Sequence, residues 1–189
     1  MKKLLILAAA LLSALSLQAQ SSEEILSKIA KAPARKAEVV SRIKEVRTPA
    51  ATQEGKPTTL KGNLLFRPED YLTITYDNKD QFIINGTRMV SITGGVNQVF
   101  DTSKNLMMKN LSDVLLTSFM GRLPELAAAQ NSDIKAEKSE KDYIVTLTAR
   151  KKSARGLSKL TVTYSASDLS IKAMTMFEVT GATTAYSIE

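Results

Sequence analysis

The sequence contains no His and no Cys, and the candidate acid–base pairs that it offers are carboxylates. The pairs Glu69-Asp70 and Asp77/Asp80 have the residue types of a glycosidase acid–base pair. Both pairs lie in predicted turns, where solvated charges are the default. The missing residue types exclude imidazole bases, thiolate nucleophiles and Cys or His zinc sites. We therefore predict no catalytic residue, no metal site, no cofactor and no enzyme activity. A hydrolase remains only if two carboxylates face each other inside a cavity.

A second group that could do chemistry is the basic cluster between two predicted strands, formed by Arg150, Lys151, Lys152 and Arg155. One interpretation is a solvated hairpin loop. The other is a contact with anionic lipid headgroups or an acidic partner, to which each basic residue contributes on the order of 1 kcal/mol. A nucleic-acid partner is not predicted, since no aromatic residues alternate with the basic ones as stacking platforms.

The first twenty residues have the layout of a secretory signal peptide. Lys2 and Lys3 precede an apolar run from Leu4 to Leu17, and Gln18-Ala19-Gln20 supplies small and polar residues at the cleavage region. Removing the two lysines from 26 basic residues leaves 24 against 19 acidic ones, a charge of +5. We predict a signal peptide over residues 1–20, one domain over residues 21–189, and a soluble periplasmic monomer.

The elements that must position these residues are mostly strands. Alternating apolar residues recur at short spacing, and Asn85-Gly86 is a strong hairpin signal. A helical period interrupts the strands from Leu106 to Met120, followed by a short helix from Glu125 to Gln130. The sequence predicts a mostly β (α+β) fold. It is an open antiparallel half-barrel of about ten to eleven strands, with an N-terminal helix and a central helical lid over an apolar concave face.

The apolar side of these strands and of the lid supplies the candidate binding surface. Methionine side chains adapt to an irregular apolar guest, although they also fill ordinary core gaps, and both interpretations stay open. We expect the short helices to cover the concave face without filling it. The strand face between Tyr71 and Tyr76 is uncertain by one residue. The predicted cavity residues are Leu64, Phe66, Leu72, Ile74, Ile84, Met89, Phe100, Leu115, Phe119, Met120, Met174 and Met176.

The order of these elements resembles the outer-membrane lipoprotein carrier (LolA-like) family. The resemblance rests on the signal peptide, the helix from Glu23 to Ala30, the stretch from Gly62 to Pro68 and the apolar strand entering Asn85-Gly86. It also includes the strand from Val96 to Phe100 and the position of the helical insertion. The resemblance covers most of the chain after the signal peptide, and no single motif in it is specific.

The resemblance implies a periplasmic carrier that binds lipoprotein acyl chains and ferries them from the inner to the outer membrane. Its partners would be lipoproteins or lipid acyl chains, an inner-membrane release complex and an outer-membrane acceptor. In that family the arginine of the Arg-Pro segment hydrogen-bonds the closed lid, and that role carries over to Arg67. The alternative is that Arg67 is a surface arginine at a strand end.

A second function class uses the same scaffold without transport. A sensor or binding module would recognise envelope lipids or misfolded outer-membrane proteins. The sequence departs from the family in having no Trp, and its last predicted strand, Thr183 to Ile188, is close to Glu189. Full-length family members carry a further strand and loop after that point, and the difference favours the sensor alternative.

Overall fold

The computed structural model describes residues 20–32, 37–151 and 156–189. The predicted signal peptide, apart from Gln20, lies outside the described residues. The same holds for residues 33–36 and for Lys152 and Arg155 of the basic cluster.

Eleven strands and three helices form the described chain. The strands are β1 Val39–Thr48, β2 Thr58–Arg67, β3 Tyr71–Tyr76, β4 Gln81–Asn85, β5 Arg88–Thr93, β6 Val96–Asp101, β7 Ser132–Ser139, β8 Asp142–Ala149, β9 Leu157–Ser165, β10 Ile171–Glu178 and β11 Thr183–Ile188. The helices are α1 Ser22–Ala30, α2 Leu106–Met120 and α3 Leu123–Ala129.

All eleven strands belong to one open antiparallel sheet. Its order is β6-β5-β4-β3-β2-β1-β11-β10-β9-β8-β7, so two meanders are joined where β1 pairs with β11. Residue pairs such as Ile43↔Ile188 and Lys44↔Ser187 fix that central register. The sheet does not close on itself, because β6 and β7 remain at its two edges. The predicted half-barrel is confirmed.

One face of the sheet is buried and the other meets solvent. In β3 the side chains of Leu72, Ile74 and Tyr76 are buried, whereas their neighbours along the strand are only partly covered. This alternation settles the register that the sequence left uncertain, because a shift of one residue would turn all three side chains outward. Leu72 and Ile74 lie on the concave face, as predicted.

Gly62 marks a close approach between β2 and β3. A Cβ atom at this position would lie 2.3 Å from the carbonyl oxygen of Thr75 and 2.7 Å from the Cα of Tyr76. Both are backbone atoms, so neither can yield as the end of a flexible side chain would. The sheet therefore requires glycine here, opposite Tyr76 in the register.

Helix α1 covers the edge strand β7. Ser21 and Glu24 form a capping box that fixes its start, and its buried residues are Ile25 and Ile29. The Ser22 hydroxyl accepts a hydrogen bond of 2.7 Å from the backbone N–H of Ala136 on β7. The helix thus satisfies an edge donor that could otherwise pair with another chain.

The central helices connect β6 to β7. The side chain of Asn105 caps α2 at its start, and Gly121 ends it in the left-handed conformation with φ 65°. Helix α3 begins at Leu123, two residues before the predicted start. Pro124 lies in its first turn, where its missing N–H costs no helical hydrogen bond.

Candidate functional site

The concave face of the sheet and helix α2 meet through apolar side chains. The rings of Phe66 on β2 and Phe119 on α2 stack with centroids 5.1 Å apart. Near the same end of the helix, the Tyr164 hydroxyl on β9 donates a hydrogen bond of 2.7 Å to the carbonyl oxygen of Ser118. The same carbonyl oxygen also accepts the backbone N–H of Gly121, so the Tyr164 hydroxyl adds a second hydrogen bond at the C-terminal end of the helix. An aromatic stack and a hydrogen bond therefore hold the lid to the sheet.

The predicted cavity residues come together on this face. Ten of them are buried, and Phe100 and Met120 are partly buried against the same cluster. The ten buried residues are Leu64, Phe66, Leu72, Ile74, Ile84, Met89, Leu115, Phe119, Met174 and Met176. Met107, at the start of α2, is 68% exposed and lies outside this cluster.

The helices fill the concave face in this arrangement, contrary to the expectation that they would only cover it. Val114, Leu115 and Phe119 of α2 and Ile25 and Ile29 of α1 belong to the same buried cluster as the sheet residues. Periodicity identifies apolar faces, but it does not show how tightly two such faces fit. The structure therefore presents the closed lid, with α2 side chains packed against the concave face.

An open cleft lies at the end of the sheet where β1 and β10 begin. It has a volume of about 320 Å³, and Val39, Ser41, Ile171 and Ile188 supply part of its wall. None of the predicted cavity residues lines it. Its walls are mainly apolar, and Val39, Ser41 and Ile188 lie on the concave side of their strands, so the cleft opens beside the part of that face that the helices fill.

Arg67 lies at the end of β2 with its side chain 57% exposed. Its Nε donates a hydrogen bond of 2.6 Å to Glu38, and its guanidinium lies 5.5 Å from the centre of the Tyr71 ring. The hydrogen bond to Glu38 is the largest cause that raises the pKa of Arg67. These contacts join neighbouring strands, and the described residues show no bond from Arg67 to the lid. The latch role stays a prediction.

The described part of the basic cluster lies at the end of the sheet where β8 ends. Arg150 donates to Asp133 at 2.7 Å, and Lys151 is exposed. A salt bridge that is exposed on both sides contributes little to stability. Among the described residues, Lys151 has no ion-pair partner. The headgroup contact stays a prediction.

The carboxylate pairs that first suggested hydrolysis lie outside the concave face. Asp77 forms an exposed pair with Arg42 at 3.0 Å, and Asp80 accepts from the backbone N–H of Gly94 at 2.9 Å. Glu69 and Asp70 are exposed in the turn before β3. Their surroundings give them structural roles in turns. In residues 20–32, 37–151 and 156–189, no group of three acidic side chains is placed to hold a metal ion.

A polar cluster on the concave face was missed by the sequence analysis. The Glu45 side chain is fully buried and pairs with the Nε of Arg47 two residues along β1, whose side chain is 58% exposed. The Tyr76 hydroxyl donates to the other carboxylate oxygen of Glu45. Tyr186 lies directly across from Glu45 on β11. The available signal was the alternation of β1, which puts Glu45 and Arg47 on the buried face of Ile43.

Burial and the Glu45 carboxylate keep the phenol groups of Tyr76 and Tyr186 neutral. Burial is the main cause that raises the pKa of Tyr76 far above its ordinary value, with the nearby Tyr186 and Glu45 adding to it. Burial followed by the charge of Glu45 raises the pKa of Tyr186 in the same way. For Arg47, burial acts to lower the pKa, but the hydrogen bond to Glu45 and neighbouring charges outweigh it. The cluster is thus an ion pair held by neutral hydroxyl donors.

The fold is similar to that of several proteins of solved structure. Within the described residues, no helix has both the length and the apolar character needed to cross a membrane. No protein-family model and no curated protein sequence matches the chain. A solved LolA superfamily protein from Nitrosomonas europaea is 9% identical, with a TM-score of 0.40, and the match covers 90% of this chain and 92% of that one.

Two further solved structures are similar at comparable levels. One is a putative outer membrane lipoprotein-sorting protein domain from Vibrio parahaemolyticus, with 12% identity, a TM-score of 0.45 and coverage of 89% of this chain and 90% of that one. The other is the Mycobacterium tuberculosis lipoprotein LppX, with 12% identity, a TM-score of 0.41 and coverage of 89% and 95%. The chain is thus similar to these proteins, and at these identities the similarity concerns the fold alone.

Proposed function

We propose that this chain is a non-enzymatic carrier of acyl chains, which bind on the concave face in place of helix α2. The observation that carries the proposal is the apolar contact between the lid and the sheet. Buried residues from ten of the eleven strands belong to the same apolar cluster as Val114, Leu115 and Phe119 of α2. When the helix withdraws, it uncovers a curved apolar surface of the kind that hydrocarbon can occupy.

The energetics support an exchange between lid and ligand. Removing hydrocarbon from water contributes about 0.8 kcal/mol per methylene, so a sixteen-carbon chain contributes about 12 kcal/mol when fully covered. Closing the lid buries a few large side chains of α2, each of which contributes roughly 1.5–3 kcal/mol. The two gains are of similar size. Neither state dominates completely, which allows both binding and release.

The make-up of the concave face suits varied hydrocarbon. Met89, Met174 and Met176 are buried there, on strands from both halves of the sheet. Their unbranched side chains can repack around chains of different length. Directed polar contacts are not needed for hydrocarbon, so the binding surface need only match it loosely.

The finer proposal is that the acyl chains belong to lipoproteins. The protein would receive them in the periplasm from an inner-membrane release complex and deliver them to an outer-membrane acceptor. Arg67 would then change partners during the cycle, leaving Glu38 to hold lid carbonyl groups in another state. A guanidinium can do so because it carries five N–H donors in a fixed fork.

Native mass spectrometry of the protein purified from its own periplasm tests the proposal. We expect lipoproteins carrying acyl chains to copurify, and the same sample unfolded and refolded in lipid-free buffer supplies the empty control. Copurified free lipid or peptide without lipoprotein would favour a sensor. Turnover of an added ester or glycoside would contradict the non-enzymatic function.

A further inference from the structure

A polar row lies at one end of the concave face, and its role as a binding site rests on the proposed function. Arg47 on β1 lies opposite Thr58 on β2 and opposite Thr184 on β11. All three residues therefore share the concave side of adjacent strands. A guanidinium flanked by two hydroxyl residues is a set of donors, and oxyanions are the ligands that such donors match.

Arg47 retains donors that its partner does not use. Its Nε binds Glu45, while its two terminal amino groups make no hydrogen bond to any residue in the described ranges. The side chain is 58% exposed, so these amino groups are accessible at the end of the sheet. Two parallel N–H groups of a guanidinium can donate to two oxygens of one carboxylate or phosphate.

The partners behind Arg47 fix its direction. Glu45 is fully buried and is held by the hydroxyl of Tyr76, with Tyr186 beside it. A buried carboxylate with satisfied oxygens orients the guanidinium before any ligand arrives. Glu45 is thus a positioning residue. Because the ion pair carries no net charge, an oxyanion would be recognised by directed hydrogen bonds rather than by a strong field.

The apolar surface begins next to this row. Past Arg47 and Glu45, the concave side of β1 continues through Ile43, Ser41 and Val39. At about 3.3 Å per residue, the distance from Arg47 to Val39 is roughly 26 Å, which is long enough for an acyl chain along the cup. The Arg150–Lys151 loop leaves the sheet at this same end.

We propose that Arg47 binds the oxyanion of an acyl amphiphile, a carboxylate or phosphate, while the hydrocarbon chain lies on the concave face. The carrier would then prefer anionic acyl lipids, and their heads would point toward the end of the sheet that holds Thr58 and Thr184. Hydrocarbon supplies most of the affinity, and Arg47 supplies the preference for a charged head.

The test compares hexadecyl phosphate with hexadecanol, which share one chain and differ in charge. In the wild-type protein we expect the phosphate to bind more tightly. Arg47→Gln should weaken its binding by about tenfold or more and leave hexadecanol unchanged. Arg42→Gln is the matched control, because Arg42 lies on the outer face of β1 and is also half-exposed. It should change neither affinity.

Arg47→Gln leaves the buried Glu45 without its ion-pair partner and could unfold the protein, so a second variant is needed. The double variant Glu45→Gln with Arg47→Gln removes both charges and should give the same loss of preference. Equal effects on both probes, or no effect on either, would overturn the inference. Tight binding of inorganic phosphate alone that depends on Arg47 would also overturn it. Failure of both amphiphiles to bind the wild-type protein would instead refute the proposed function.

Discussion

Phe119→Ala is expected to tighten the binding of a long-chain acyl probe by about 100-fold, even though it lowers the stability of the protein. The ring of Phe119 stacks on Phe66 and is buried, so it holds the lid in the closed state. Replacing a buried Phe by Ala costs about 3–5 kcal/mol where the contact exists. The open state lacks that contact, and the population of the binding-competent form rises accordingly.

The size of the effect follows from the linkage between lid opening and binding. When only a fraction of the protein is competent, the apparent dissociation constant is raised by the inverse of that fraction. A loss of about 2.7 kcal/mol from the closed state converts into roughly a 100-fold gain in affinity. The affinity for the probe stops rising once the lid is open in most molecules.

Titration of a fluorescent hexadecanoyl probe measures this affinity. Leu106→Ala is the matched control, because Leu106 belongs to the same helix but is 73% exposed. It should leave the affinity and the melting temperature unchanged. If Phe119→Ala lost stability and bound the probe no more tightly than the wild-type protein, the lid and the ligand would not compete for one space.

Gly62→Ala is expected to lower the free energy of unfolding by about 3 kcal/mol. The new methyl group would lie 2.3 Å from a backbone oxygen, so β2 and β3 must move apart. Overpacking of this kind costs roughly 1–3 kcal/mol. The shift also displaces Tyr76, whose hydroxyl holds the buried Glu45, and a buried acceptor that loses a donor costs about 1–3 kcal/mol more.

Thermal unfolding followed by circular dichroism checks this expectation. For a chain of this size, about 3 kcal/mol corresponds to a fall of roughly 6–12 °C in the melting temperature. Lys61→Ala is the control, because Lys61 neighbours Gly62 and its side chain is exposed on the opposite face. An unchanged melting temperature for Gly62→Ala would show that the strands have room that the structure does not display.

Local patterns predicted much of the fold. The alternation of β2 and β3, the Asn85-Gly86 turn and the helical period of α2 each act over a few residues, and each specified its element. The packing of α2 against the sheet depends on distant residues such as Phe66 and Phe119, which no local period connects. Periodicity therefore identified the two apolar faces and could not show that they close on each other.

The sequence also predicted one part of the candidate site and missed another. The apolar residues of the concave face were predicted because alternation assigns every second side chain to one side. Glu45 and Arg47 share that side, but charged residues usually face solvent, so their burial did not follow from β1 alone. It depends on Tyr76 and Tyr186, which come from strands far away in the sequence.

Quenching of a single introduced tryptophan by a brominated acyl chain tests the central claim most directly. The chain contains no Trp, so Phe66→Trp places a single tryptophan on the concave face and Val40→Trp places it on the outer face. Val40 is 71% exposed and lies on the neighbouring strand, which makes it a close control. We predict saturable quenching of Trp at position 66 by bromostearate, none by stearate, and little at position 40. Quenching at position 40 alone, or bound lipid that leaves position 66 unquenched, would contradict binding beneath the lid.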